Sequence, residues 1–140
     1  MLLGDKEKKQ LAELFAQLKN PVRLVNFTQE LECQFCHETR TLMEEVAAAS
    51  DKIRVEVYNF QIDKDMVEAY KIDKIPATVI EGEKDYGIRL YGIPSGYEFT
   101  SLIDAIIGAS KGESGLSEKT RGALRGLTSD VHLQVFVTPT

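Results

Sequence analysis

The chain has 140 residues, 43% apolar and 28% charged, which suits one ordinary domain with a real core and a charged surface. Its net charge of −5, with no basic stripe to offset the acids, argues against a nucleic-acid partner. No apolar run approaches a membrane span, and Met1 to Lys9 turns charged too early for a secretory signal, so no membrane role and a cytoplasmic location are expected.

Asp5 can cap a first helix whose Leu11, Leu14, Phe15 and Leu18 follow the i, i+3, i+4, i+7 spacing of one buried face. Asn20-Pro21 ends it, because the residue before a proline is pushed out of the α region. Val22-Arg-Leu-Val-Asn-Phe27 is nearly all apolar and reads as a central strand. Residues 28–32 form a polar, acidic loop that leads to Cys33.

Cys33-Gln34-Phe35-Cys36 holds the only two cysteines, three positions apart at a helix entrance. Thiols at that spacing can close a small disulfide ring with little backbone movement. The free N–H groups of a helix N-terminus would favour a thiolate on the first of them. The thiolate is the nucleophile of disulfide exchange. In a reducing compartment such a pair is more often catalytic or metal-binding than structural. From Cys33 to about Ala49 the periodicity is helical, with Cys36, Leu42, Met43, Val46 and Ala47 on one face and Glu38, Arg40, Glu44 and Glu45 on the other.

Ile53 to Phe60 alternates as a half-buried strand, and a short helix is expected over Asp63 to Tyr70. Ile75-Pro76-Ala-Thr-Val-Ile80 is a third strand; its proline cannot donate to a ladder and belongs at the strand start or in a special turn. Glu81 to Tyr86 turns the chain, and Gly87 to Gly92 returns as the second arm of a hairpin. Phe99, Leu102, Ile103, Ile106 and Ile107 mark another amphipathic helix. The small polar run Gly108 to Gly115 reads as a boundary. Ser117 then caps a short helix, and Val131-His-Leu-Gln-Val-Phe-Val137 alternates strongly enough to be a further strand. Such a strand needs an edge to pair with.

With Cys33-Gln34-Phe35-Cys36 after the first strand, Lys74-Ile75-Pro76-Ala77-Thr78 before the third and Tyr91-Gly92 ahead of the last helix, the chain resembles the thioredoxin fold. More narrowly it is similar to the N-terminal unit of the glutaredoxin-like protein disulfide oxidoreductases of thermophiles, over about residues 5–110. The resemblance implies an α/β fold, a mixed central sheet flanked by helices, with an extra C-terminal helix and strand. It implies three parts: residues 1–110 as the thioredoxin- or glutaredoxin-like domain, 111–127 as a connecting loop and helix, and 128–140 as the first strand of a second such unit. The chain would then be a fragment that stops before the second unit's Cys-x-x-Cys. High Lys and Glu content agrees with a thermophilic source.

By the same resemblance Cys33 is the attacking thiol, Cys36 the resolving thiol, and Pro76 a cis-proline that leaves the Ile75 backbone free to pair with an extended substrate. Thioredoxins usually have an acid in the first strand where this chain has Asn26, so one proton acceptor for Cys36 is missing. The implied activity is thiol–disulfide exchange on protein thiols and disulfides, with the Cys33–Cys36 disulfide as redox centre, no other cofactor and no metal. A thioredoxin-reductase-like protein or a small thiol would supply electrons, and a second thioredoxin-like unit or a homodimer is the expected assembly. The competing readings are the N-terminal domain of an alkyl hydroperoxide reductase flavoprotein subunit and a non-catalytic binding module of the same fold. A zinc site would have only His37 and His132 to add, and an iron–sulfur cluster would have to bridge two chains.

Overall fold

The computed structural model describes residues 1–138. Its elements are α1 (Asp5–Phe15), β1 (Val22–Thr28), α2 (Cys36–Ala47), β2 (Ile53–Asn59), α3 (Lys64–Ala69), β3 (Ala77–Glu81), β4 (Asp85–Tyr91), α4 (Tyr97–Lys111) and α5 (Glu118–Leu124). The strands form one sheet in the order β2-β1-β3-β4. β1 and β2 run parallel, from Val22 beside Ile53 to Thr28 beside Asn59. β3 is antiparallel to β1, with Asn26 opposite Thr78, and β4 is antiparallel to β3. The C-terminal ends of β1 and β4 and the head of β3 therefore lie at the same end of the sheet.

Alternation along β1 divides the core into two. Val22 and Leu24 join Leu42, Met43 and Val46 of α2 and Leu102, Ile103 and Ile106 of α4 in one cluster, which also takes in Leu11, Phe15 and Leu18. Val25 and Phe27 face the other way, with Ile72, Ala77 and Val79, under Met66, Val67 and Tyr70 from the α3 region. Beyond α3 that face is polar: Arg23 pairs with Glu56 and Glu81, and the Tyr70 hydroxyl donates to Glu81.

Some local expectations are corrected. Gly4, not Asp5, is the N-cap of α1; Asp5 opens the first turn, where its charge still meets the helix dipole. Leu14 is 45% exposed, because α1 stops at Phe15 and its buried stripe is centred between Leu11 and Phe15. Glu45 turns inward rather than to solvent, accepting the Leu2 and Leu3 backbone N–H groups at 2.9 and 2.7 Å and so tying the N-terminus to α2. α2 starts at Cys36, three residues later than expected.

The expected C-terminal helix forms: the Ser117 hydroxyl accepts the Thr120 N–H at 3.2 Å. The expected strand does not. Residues 131–138 adopt no strand, and Leu133, Val135 and Phe136 are more than four-fifths exposed. Alternating sequence supplies strand propensity, but a strand exists only where a neighbouring edge takes up its N–H and C=O groups. The last residues of that expected strand unit, Pro139 and Thr140, lie outside the described residues.

Candidate active site

The loop from Thr28 turns back toward the sheet through Glu32, which takes the left-handed conformation at φ 58°. Phe35 then caps α2 without a side-chain hydrogen bond, and its carbonyl accepts both the Thr39 N–H and the Thr39 hydroxyl. This turn brings Cys33 and Cys36 to a Cα separation of 5.6 Å, and the two are joined by a disulfide. Cys36 opens the helix and is 1% exposed, whereas Cys33 stands in the turn before it, half-buried. Phe35, between them, is 46% exposed.

The second predicted pair stands at the same end of the sheet. The Ile75–Pro76 peptide bond is cis, and Pro76 immediately precedes Ala77, which faces Phe27 at the end of β1. The Pro76 carbonyl accepts the Gly92 N–H at 2.8 Å, where Gly92 adopts φ 83°, a conformation that favours glycine. The N–H and C=O of Ile75 have no hydrogen-bond partner among the described residues. The structure thus brings the head of β3 to the sheet end from which the disulfide loop departs.

Charge around this end is mixed. Lys74, just before Ile75, pairs with Asp73 at 2.7 Å and lies 4.5 Å from the centre of the Tyr91 ring. The Lys74 hydrogen bond holds the Asp73 carboxyl below its ordinary range, and the same bond raises Lys74. Burial pushes the Glu98 carboxyl, in the first turn of α4, above its usual range. His37 is exposed on α2, and Glu30 and Glu32 are exposed in the loop. Among the described residues no group of three or more His, Cys, Asp and Glu side chains is arranged to hold a metal ion.

The Lys74–Tyr91 contact escaped the sequence reading, as did the hydrogen bonds of Asn26, a residue the sequence had singled out only for the acid it lacks. The Lys74–Tyr91 contact left no signal beyond the neighbourhood of Pro76. Asn26 did leave one, as a polar residue inside an apolar strand: fully buried, it donates from Nδ2 to the Ala77 carbonyl at 3.3 Å and the Thr78 hydroxyl at 3.2 Å, tying β1 to the residue after Pro76.

Residues 25–104 match the family model described as a thioredoxin domain. Among solved structures, the chain is similar to a protein disulfide oxidoreductase from Aeropyrum pernix, with a TM-score of 0.82 and 28% identity, covering 91% of this chain and 56% of that one. It is also similar to the alkylhydroperoxide reductase AhpF of Enterococcus faecalis, with a TM-score of 0.79 and 26% identity, covering 91% and 62%. A curated relative, described as NADH dehydrogenase of Bacillus subtilis, is 24% identical over 140 residues, all of this chain and 25% of that protein. The chain thus spans about a quarter of its curated relative and little more than half of these structural ones.

Proposed function

The chain belongs to the thioredoxin-domain family, and on that premise we propose that it is a thiol–disulfide oxidoreductase acting on protein disulfides through Cys33 and Cys36. The observation that carries this reading is the disulfide at the start of α2, with Cys33 the more open sulfur and Cys36 shut inside. In the reduced chain the Cys33 thiolate, favoured by the N–H groups of the helix end, attacks one sulfur of a substrate disulfide and displaces the other as a thiolate. Cys36 then attacks Cys33, restoring the intramolecular bond and releasing the second substrate sulfur as a thiol.

Ile75 and Pro76 form the substrate-binding edge in this reading. The open N–H and C=O of Ile75 would pair with an extended substrate backbone, as in strand addition, holding its disulfide over Cys33. The disulfide is itself the electron carrier, so the mechanism draws on no other cofactor. A separate reductase or a small thiol returns the electrons, and the location is cytoplasmic.

A second reading is favoured by the likeness to the alkylhydroperoxide reductase AhpF: the unit relays electrons within a longer polypeptide, toward a second thioredoxin-like unit from residue 128 onward. Exchange with disulfide-bonded insulin under a dithiol donor tests the main reading. Cys33→Ser abolishes exchange, and Cys36→Ser accumulates a mixed disulfide visible by mass. A folded Cys33→Ser chain that still exchanges, or a Cys36→Ser chain that traps nothing, contradicts the mechanism.

A further inference from the structure

Two apolar surfaces of the chain stand open, a groove and a helix stripe, and neither belongs to the disulfide site. The groove, of about 230 Å³, lies between α1 and α4 and is lined by Leu11 and Leu14 of the one and Ile103 and Ile107 of the other. Leu11 and Ile103 are buried in the core, whereas Leu14 is 45% exposed. The ionisable residues lining it, Glu7 and Asp104, are both acids and both exposed. Neither has an ion-pair partner among the described residues.

The stripe belongs to α5. At about 100° per residue, Thr120, Ala123, Leu124 and Leu127 fall on one side of the helix. The turn continues past its end, since the Leu127 N–H donates to the Leu124 carbonyl at 3.1 Å. Lys119 flanks that side on one edge, and Arg121 and Arg125 on the other. Within a chain of net charge −5, these three bases face one acid, Glu118. Glu118 reaches the two arginines only at 3.6 and 3.9 Å, and Lys119 has no ion-pair partner among the described residues. α5 buries none of its residues, with Leu124 and Leu127 47% and 56% exposed, so it does not cover the groove of its own chain.

The two surfaces are complementary. An apolar stripe edged by bases suits an apolar groove edged by unpaired acids, and an amphipathic helix laid in a groove is a recurring mode of recognition. Each chain carries one of each, so two chains related by a two-fold axis satisfy both at once. We propose that the α1–α4 groove is a dimerisation surface, occupied by α5 of a second copy of this chain. Leu124 and Leu127 cover Leu14 and Ile107, while Lys119, Arg121 and Arg125 meet Glu7 and Asp104. Cys33, Cys36 and Ile75 do not line the groove, so the pairing leaves them free.

Sedimentation velocity of the full chain tests this, with charge reversed on one surface at a time. The unaltered chain is expected to dimerise reversibly. Glu7→Lys with Asp104→Lys, and separately Arg121→Glu with Arg125→Glu, each set like charges across the contact and are expected to weaken the dimer at least about tenfold. Mixing the two variants restores opposite charges at both contacts, so the mixture is expected to dimerise again. A monomeric unaltered chain overturns the proposal, whether α5 closes over its own groove or the groove takes a basic helix of another protein. Reversals that leave the dimer intact, or a mixture that stays monomeric, overturn it too. Should the groove reversal not fold, Leu14→Asp takes its place: loss of the dimer supports the pairing, and a retained dimer overturns it. The exposed Leu133 and Val135 also invite association, so the series is repeated in the full chain carrying Leu133→Asp and Val135→Asp. A dimer that survives those two changes and still obeys the charge reversals supports the pairing. A dimer that vanishes with those two changes alone overturns it.

Discussion

Between Cys33 and Cys36 the decisive difference is access. Cys36 is 1% exposed and Cys33 half-buried, so a small alkylating reagent should modify Cys33 of the reduced chain at least about tenfold faster, read by mass after brief exposure. Equal rates would place the two sulfurs in equivalent surroundings and deprive them of separate roles. Lys74 bears on recognition rather than chemistry. Its ammonium rests over the Tyr91 ring and on Asp73, both contacts exposed to water, so Lys74→Ala should leave stability nearly unchanged in chemical unfolding. If substrates dock along Ile75, the same change should alter KM for a protein disulfide and leave kcat nearly unchanged. A fall in kcat alone would move Lys74 from docking into the chemical step.

At the scale of elements, the helices and strands were legible because their apolar residues recur at the spacing each element requires. Leu42, Met43 and Val46 repeat with the helix, and Val22, Leu24, Ile53 and Val55 with the strand. What failed was what depends on a partner. The 131–137 segment has strand chemistry but no edge beside it, and Glu45 faces inward because two N-terminal N–H groups need an acceptor. Ser110 is another such long-range contact, tying the end of α4 to the turn after α1. Its buried hydroxyl accepts the Lys19 and Asn20 N–H groups at 2.9 and 3.0 Å and donates to the Asn20 carbonyl at 2.8 Å. Ser110→Ala strands those groups and should cost about 1–3 kcal/mol in chemical unfolding, without changing the reduction potential. On β4, the Arg89 hydrogen bond lowers the Asp85 carboxyl below its ordinary range. A lowered folded-state value means stability that is present above the unfolded carboxylate range and lost as pH falls through the folded one. Asp85→Asn should therefore cost about 0.5–1 kcal/mol at neutral pH and nothing in strong acid. The same loss at both pH values would deny the ion pair its part.

At the scale of the whole molecule, the thioredoxin-like body and the segment after α4 differ in kind. The body buries two apolar clusters on the faces of its sheet, whereas α5 buries none of its residues and Leu133, Val135 and Phe136 stand in solvent. An apolar strip of strand-forming sequence invites association. Replacing Leu133 and Val135 with aspartate should lower self-association in sedimentation without lowering the melting temperature; a large drop in that temperature would mean the strip packs on the body after all. The Cys33–Cys36 disulfide opens α2 within the body, at the sheet end where the head of β3 also lies, so its chemistry should be carried by that unit. A redox titration of the purified chain in a dithiol buffer, following the Cys33–Cys36 pair by mass, tests this most directly. A single two-electron transition between about −200 and −270 mV, the range spanned by glutaredoxins and thioredoxin, is the predicted result. Thiols that stay inert across that range, or that titrate independently, would contradict it.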